Sequence, residues 1–177
     1  LRVPAILEWP PVIQENRITN LPCNTVDFYP TLLDIVDAPQ KNQPILDGVS
    51  LVPLLENKMH ERSKPMGFWD YKTRGISTPS AKWMAELLEA QKAGKEVDPF
   101  RKRMDAAEIK KQYPLDSFPG HSAWLDWPWK LHRIENKDGN MKFEFYDLNN
   151  DPDEEKDILD KEPEKVDLMK KQLDEWL

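Results

Sequence analysis

Residues 143–158 read FEFYDLNNDPDEEKDI. The first five, Phe143 to Asp147, have the aromatic content of a short strand. They run into a turn crowded with Asn, Asp and Pro, residues that bend a chain and hydrogen-bond their own backbone. An acidic segment follows, and then a helix that finishes the chain. That helix starts at about Pro163, with Glu162 and Glu164 at its positive end. Val166, Met169, Leu173 and Trp176 recur at helical spacing and form its buried stripe.

Moving upstream, Met141 to Asp147 and Trp129 to Glu135 flank Lys137-Asp138-Gly139-Asn140. Asp-Gly turn chemistry makes these two strands a hairpin. In the second strand Leu131, Arg133 and Glu135 alternate with His132 and Ile134, a mixed pattern that leaves the buried face open. Ala123 to Trp127 reads as a further strand, and so does the aromatic run Met66 to Tyr71. Ser80 to Ala93 is an amphipathic helix with Trp83, Met84, Leu87, Leu88 and Gln91 on one side and Gly94 at its end. Asp105 to Tyr113 is a shorter helix stopped by Pro114.

At the other end, Val3 to Trp9 is an apolar run closed by Pro10 and Pro11, the pattern of a buried strand that stops abruptly. Val26, Tyr29, Leu32, Leu33 and Val36 predict a helix packed through that stripe, capped by Asn24 or Thr25. Asp47 to Asn57 gives a second, shorter helix with Ser50 as N-cap and Pro53 in its first turn. Strands and helices do not alternate regularly. The predicted class is therefore α+β, a small antiparallel sheet of three to four strands with packed helices.

The 177 residues hold one core, or two small subdomains. A net charge of −7 argues against a nucleic-acid partner. No apolar run approaches the ~20 residues of a membrane span. A single cysteine, Cys23, forms no internal disulfide. No pattern of a secretory leader stands at the start, which is Leu1 rather than Met and reads as a cut.

Five stretches taken in order resemble the sulfatases, hydrolases of the alkaline phosphatase superfamily. They are LRVPAILEWP, VDFYPTLLDIVDAP, LDGVSLVPLLEN, SAWLDWPWKLHRI and the closing FEFYDLNNDPDEEKDILDKEPEKV. The kinship is to arylsulfatase-like and N-acetylgalactosamine-6-sulfatase-like members. It implies that 1–65 ends a main α/β sulfatase domain, that 66–119 is a subfamily insertion, and that 120–177 is the C-terminal subdomain. It also implies a substrate that is a sulfated carbohydrate or an aryl sulfate, and a periplasmic or extracellular location. The family's nucleophile is a formylglycine made in a C/S-x-P/A-x-R motif, and its Ca2+ is held by paired aspartates. Cys23 stands in PCNTV, which lacks the Pro and Arg of that motif. The resemblance therefore places formylglycine, Ca2+ and the catalytic Lys in an N-terminal sulfatase domain preceding Leu1. No catalytic or metal-ligating residue and no cofactor is expected on this chain. An apolar N-terminal surface would pack on that missing domain, or drive oligomer formation if left bare.

Some residues carry two readings. His121, in FPGHSAW just before a strand, suits contact with substrate, or a loop histidine bonded to backbone. Trp69, Asp70 and Arg74, with Tyr71, form a polar–aromatic cluster of the kind that binds sugars, or part of a Trp-rich core, to which Trp124, Trp127 and Trp129 add. Asp147, Asp151, Asp153, Glu154 and Glu155 resemble a calcium loop but lack its spacing and glycine, so a solvated turn with Asx caps is favoured. Two further functional classes remain open. One is a non-catalytic glycan-binding or scaffold module. The other is a phosphodiesterase or phosphonate hydrolase of the same superfamily.

Overall fold

The computed structural model describes residues 3–39, 43–70, 80–95 and 118–177, with the backbone alone for 80–83. One antiparallel sheet has the strand order β1–β2–β3–β4. The strands are β1 Met66–Asp70, β2 His121–Asp126, β3 Trp129–Glu135 and β4 Met141–Asp147. The helices are α1 Phe28–Ile35, α2 Val52–Leu55, α3 Ser80–Lys92 and α4 Pro163–Trp176. This is the α+β class that the pattern implies. The expected helix over Asp105 to Tyr113 lies outside the described residues.

The hairpin β3–β4 closes where expected. Asn136 N–H donates to the Asn140 carbonyl at 2.8 Å, and Gly139 takes φ +86°, a conformation nearly free of cost only for glycine. The open alternation of β3 resolves in favour of Leu131. Leu131 faces Phe145 across the ladder, and both are fully buried. Trp124 and the α4 stripe Val166, Met169 and Leu173 complete this core. Burial of such side chains stabilises by about 1.5–3 kcal/mol each. Trp176 extends the stripe onto β1, where its indole lies against Gly67; a Cβ there would fall 2.5 Å from the ring.

The free edge of β4 is covered by the turn that follows it. Asp157 Oδ1 accepts the Phe145 N–H at 3.0 Å, and Ile158 N–H donates to the Phe145 carbonyl at 2.9 Å. Backbone groups that would otherwise template another strand are thereby paired.

The segment before the sheet forms a second, smaller cluster, Val49, Leu51 and Leu54 with Leu21 and Met59. Its organiser is polar. Asp27 has no solvent exposure. It accepts the N–H groups of Asn24 at 2.7 Å and Val49 at 2.9 Å, and a bidentate fork from Arg62 at 2.7 and 2.8 Å. Asn24 returns the contact as N-cap of the 3-10 turn Thr25–Asp27 that leads into α1. Thr31 lies one turn beyond Asp27 on the same side, and its Oγ1 accepts the Leu51 N–H at 2.9 Å. Gly48 passes so close that an added Cβ would stand 2.1 Å from the Val26 carbonyl oxygen.

Two expectations are corrected here. The helix at 28–35 forms, but its apolar stripe points outward: Val26, Tyr29, Leu32 and Val36 are exposed, Leu32 by 60% and Val36 by 67%. The buried residues of α1 are Pro30 and Thr31. Backbone donors of 49–51 demand acceptors, and Asp27 and Thr31 supply them, so the polar side turns inward. Residues 3–9 form no strand, and Ile6 is almost wholly exposed. A strand requires an edge to pair with, and no ladder among the described residues includes this run. In α3, Gly94 at φ +63° ends the helix, with Lys95 N–H donating to the Ala90 carbonyl at 2.9 Å. Met84 and Leu88 of its expected buried side are exposed. For α2 the N-cap is Leu51, although Ser50 Oγ still accepts the Val52 N–H at 3.2 Å.

Burial raises the Asp27 pKa, but the Arg62 fork and the two backbone donors outweigh it and hold the carboxyl below the usual range. A depressed carboxyl contributes stability that is present above the unfolded value of about 3.9 and lost as pH falls through the folded value. Asp27→Asn should therefore destabilise the chain by about 3–5 kcal/mol at neutral pH. It should also flatten the fall in melting temperature below about pH 4. Thermal melts of both proteins from neutral to acid pH check this.

Candidate functional site

Three of the four substrate-binding candidates come together at one end of the sheet. Asp70 closes β1 and His121 opens β2, and the two are cross-strand partners. Trp69 precedes Asp70, so strand alternation sets its side chain on the opposite face. There its Nε1 donates to the Pro119 carbonyl at 2.9 Å, and its ring meets Phe118 edge-on. Arg74 and Tyr71 lie outside the described residues. The polar–aromatic cluster is thus divided by the sheet, with Trp69 on one side and the Asp70–His121 pair on the other.

The loop at 118–120 is held from three directions. Arg133 NH1 donates to the Phe118 carbonyl at 2.8 Å, Trp69 holds Pro119, and Gly120 N–H donates to the Glu135 carboxylate. His121 Nδ1 accepts the Glu135 N–H at 3.1 Å. Accepting at Nδ1 places the ring proton of the neutral imidazole on Nε2. No described residue pairs with the Asp70 carboxylate or with His121 Nε2. An acceptor and a donor therefore stand next to each other on a fixed strand end. They can bond the hydroxyls of a ligand, but no nucleophile accompanies them among the described residues.

Several other titratable groups are engaged in the fold. Asp147 accepts the N–H of Asn149 and the side-chain amide of Asn150, and Asp151 accepts the N–H groups of Glu155 and Lys156. These are Asx caps, which leave the carboxylates facing backbone donors instead of a cation. Glu154, at φ +58°, reaches over the outer face of the sheet to Lys130 and His132, each at 2.6 Å. Burial raises its pKa, yet the hydrogen bonds from Lys130 and His132 bring it below the ordinary carboxylate range. Tyr146 stands edge-on to His132 and donates to Glu144 at 3.0 Å. Burial and Glu144 push its hydroxyl up to about 12. Among the described residues no three His, Cys, Asp or Glu side chains converge as for a metal ion. Cys23 is exposed at its surface but partly desolvated by its neighbours, and this desolvation together with Asp27 raises its thiol pKa, the opposite of an activated nucleophile. These residues do not fit a calcium–formylglycine centre, and no catalytic step is assigned to them.

Sequence reasoning missed the roles of Asp27, Arg62 and Glu154. Apart from the Asn24–Asp27 capping box, their partners lie 22 to 35 residues away along the chain, beyond the reach of any local pattern.

Comparison with known proteins finds sulfatases among the similar sequences. The chain is sulfatase-like. Over 58 residues, 33% of the chain, it is 43% identical to human steryl-sulfatase, and that stretch is 10% of the relative's length. Over 58 residues it is 40% identical to human arylsulfatase H, again 10% of that protein. Human arylsulfatase D matches at 38% over 56 residues, 32% of this chain and 9% of the relative. The stretch is consistent with a sulfatase C-terminal portion, in a family that hydrolyses sulfuric esters. The chain matches only about a tenth of the length of these curated relatives. No protein-family model matches it. No helix of the described residues is long and apolar enough to cross a membrane.

His121→Ala removes the acceptor of a backbone donor and should cost about 1–3 kcal/mol in urea unfolding. Asp70→Ala removes a carboxylate with no described partner and should stay within about 0.5 kcal/mol of the parent.

Proposed function

We propose that this chain is the C-terminal portion of a sulfatase, and that the parent protein hydrolyses sulfate esters of sugars or aryl compounds. The observation that carries this reading is the 43% identity to steryl-sulfatase over 58 residues. The exposed apolar side of α1, together with the exposed Val3 and Ile6 upstream, supports a further point. It is the surface against which the N-terminal sulfatase domain packs. Formylglycine and Ca2+ belong to that domain in this reading, together with the groups that attack sulfur. The part of the present chain is to complete the domain and shape the substrate entrance. Asp70 and His121 supply a hydrogen-bond acceptor and donor there, and Trp69 and Arg74 are further proposed contacts with the substrate. The location is periplasmic or extracellular.

An aryl sulfate assay tests the reading. The 177-residue chain alone should release no sulfate, and the longer polypeptide read from its natural frame should. That frame should carry a C/S-x-P/A-x-R motif and paired aspartates upstream of Leu1. A frame with neither contradicts the proposal, as does a longer polypeptide that cleaves phosphodiesters or phosphonates and leaves sulfate esters intact.

A further inference from the structure

The end of the sheet opposite Asp70 and His121 borders a cavity of about 460 Å³. Its walls are the loop 17–22, the segment 57–64, and the β1–β2 end where Met66 meets Leu125. The volume falls in the range of small-molecule sites. Leu21, Leu54 and Met59 line it with apolar surface, and they belong to the second cluster.

One polar group in this wall has unused hydrogen-bonding capacity. The Arg62 side chain is only 5% exposed. Its NH1 and NH2 meet Asp27 end-on at 2.8 and 2.7 Å. Its Nε is a buried donor with no acceptor among the described residues. A guanidinium is a planar fork with five N–H groups. The end-on pair with Asp27 uses one edge of that plane. The side edge, made of Nε and a terminal nitrogen, is left, and the two oxygens of a carboxylate match such an edge. A buried donor without a partner is costly, and an acceptor brought by a ligand removes that cost.

Asp27 already balances the charge of Arg62, so a second carboxylate requires further cations. Arg17 and Lys64 line the same cavity. Arg17 donates NH2 to the carbonyls of Leu54 and Leu55 at 2.6 and 2.5 Å, and Lys64 donates to the Leu46 carbonyl at 3.1 Å. Neither cation meets a carboxylate among the described residues. Glu61 and Asp126 line the cavity too, and both are exposed. Their negative charge opposes a dianion more strongly than a monoanion. The apolar walls suit a hydrocarbon body. We propose that the cavity binds an organic monocarboxylate. Its carboxylate lies on the side edge of Arg62, in the field of Arg17 and Lys64, and its hydrocarbon body packs on Leu21, Met59 and Leu125. The ligand is not a sulfate ester. The proposal is independent of the sulfatase reading, because binding to this chain requires no turnover.

The test is an NMR titration of the 177-residue chain with 4-methylpentanoate, the matching alcohol 4-methylpentanol, and inorganic sulfate. The carboxylate should saturate the shifts of Leu21, Met59 and Leu125 at about millimolar concentration. It should also move the Arg62 Nε–H resonance, which a contact with the apolar walls alone would leave in place. The alcohol and sulfate should bind at least about tenfold more weakly. Arg62→Lys keeps the charge and removes the side edge, and should abolish the preference for carboxylate over alcohol. Because that variant also loosens Asp27, Lys64→Gln provides a second check. It should weaken the carboxylate by about twofold to fivefold and leave the alcohol unchanged. Failure of 4-methylpentanoate to saturate overturns the proposal, as does saturation that leaves the Arg62 Nε–H resonance unmoved. Equal binding of the alcohol would mark a merely apolar cleft, and equal binding of sulfate a simple anion site; either result overturns it.

Discussion

A carboxylate with no exposure to water, Asp27, holds the first third of this protein together. A lone buried carboxylate would be strongly disfavoured. Here four donors converge on it: the fork of Arg62 and the N–H groups of Asn24 and Val49. Through them it ties together the turn into α1, the segment 48–51 and the chain entering β1. Removing either member of such a pair leaves an uncompensated charge, which is why the arrangement is sensitive to single changes. Asp27 also sets the orientation of α1. Once it and Thr31 face inward to meet backbone donors, the helix must present Tyr29, Leu32 and Val36 to the outside.

The second half is organised differently. Its core is the contact of Leu131, Phe145 and Trp124 with α4, an apolar interface that requires no charge. The two halves meet through Trp176. Its indole covers Gly67, and its Nε1 donates to Asp47 at 2.9 Å. The sheet end that carries Asp70 and His121 belongs to the sheet on which α4 packs. A strand end held in this way presents side chains to a ligand at a lower entropic cost of binding.

Elements governed by local chemistry were legible in the sequence. The Asp-Gly turn placed β3 and β4 at their observed ends, and the Val166/Met169/Leu173 spacing placed α4. Asn24 was legible as a cap because capping acts over three residues. The inward side of α1 was not, since the amphipathic rule assumes that the apolar stripe finds the core of the same chain. For Val3 to Leu7 the same assumption failed, because an apolar run reads as a buried strand only if an edge is present to receive it. Of the candidate site, the residues Trp69, Asp70 and His121 were legible as individuals. Their division between two faces of the sheet became visible only with the register of β1 on β2.

In the proposed reading the outward side of α1 is the interface with the N-terminal sulfatase domain. An apolar helix face of this kind on a charged chain marks a docking surface. The most direct measurement is amide hydrogen exchange over residues 28–36, compared between this chain and the longer polypeptide of its natural reading frame. The account predicts markedly slower exchange across 28–36 in the longer polypeptide, with the β3 and β4 amides unchanged. Equal exchange across 28–36 in the two would contradict it.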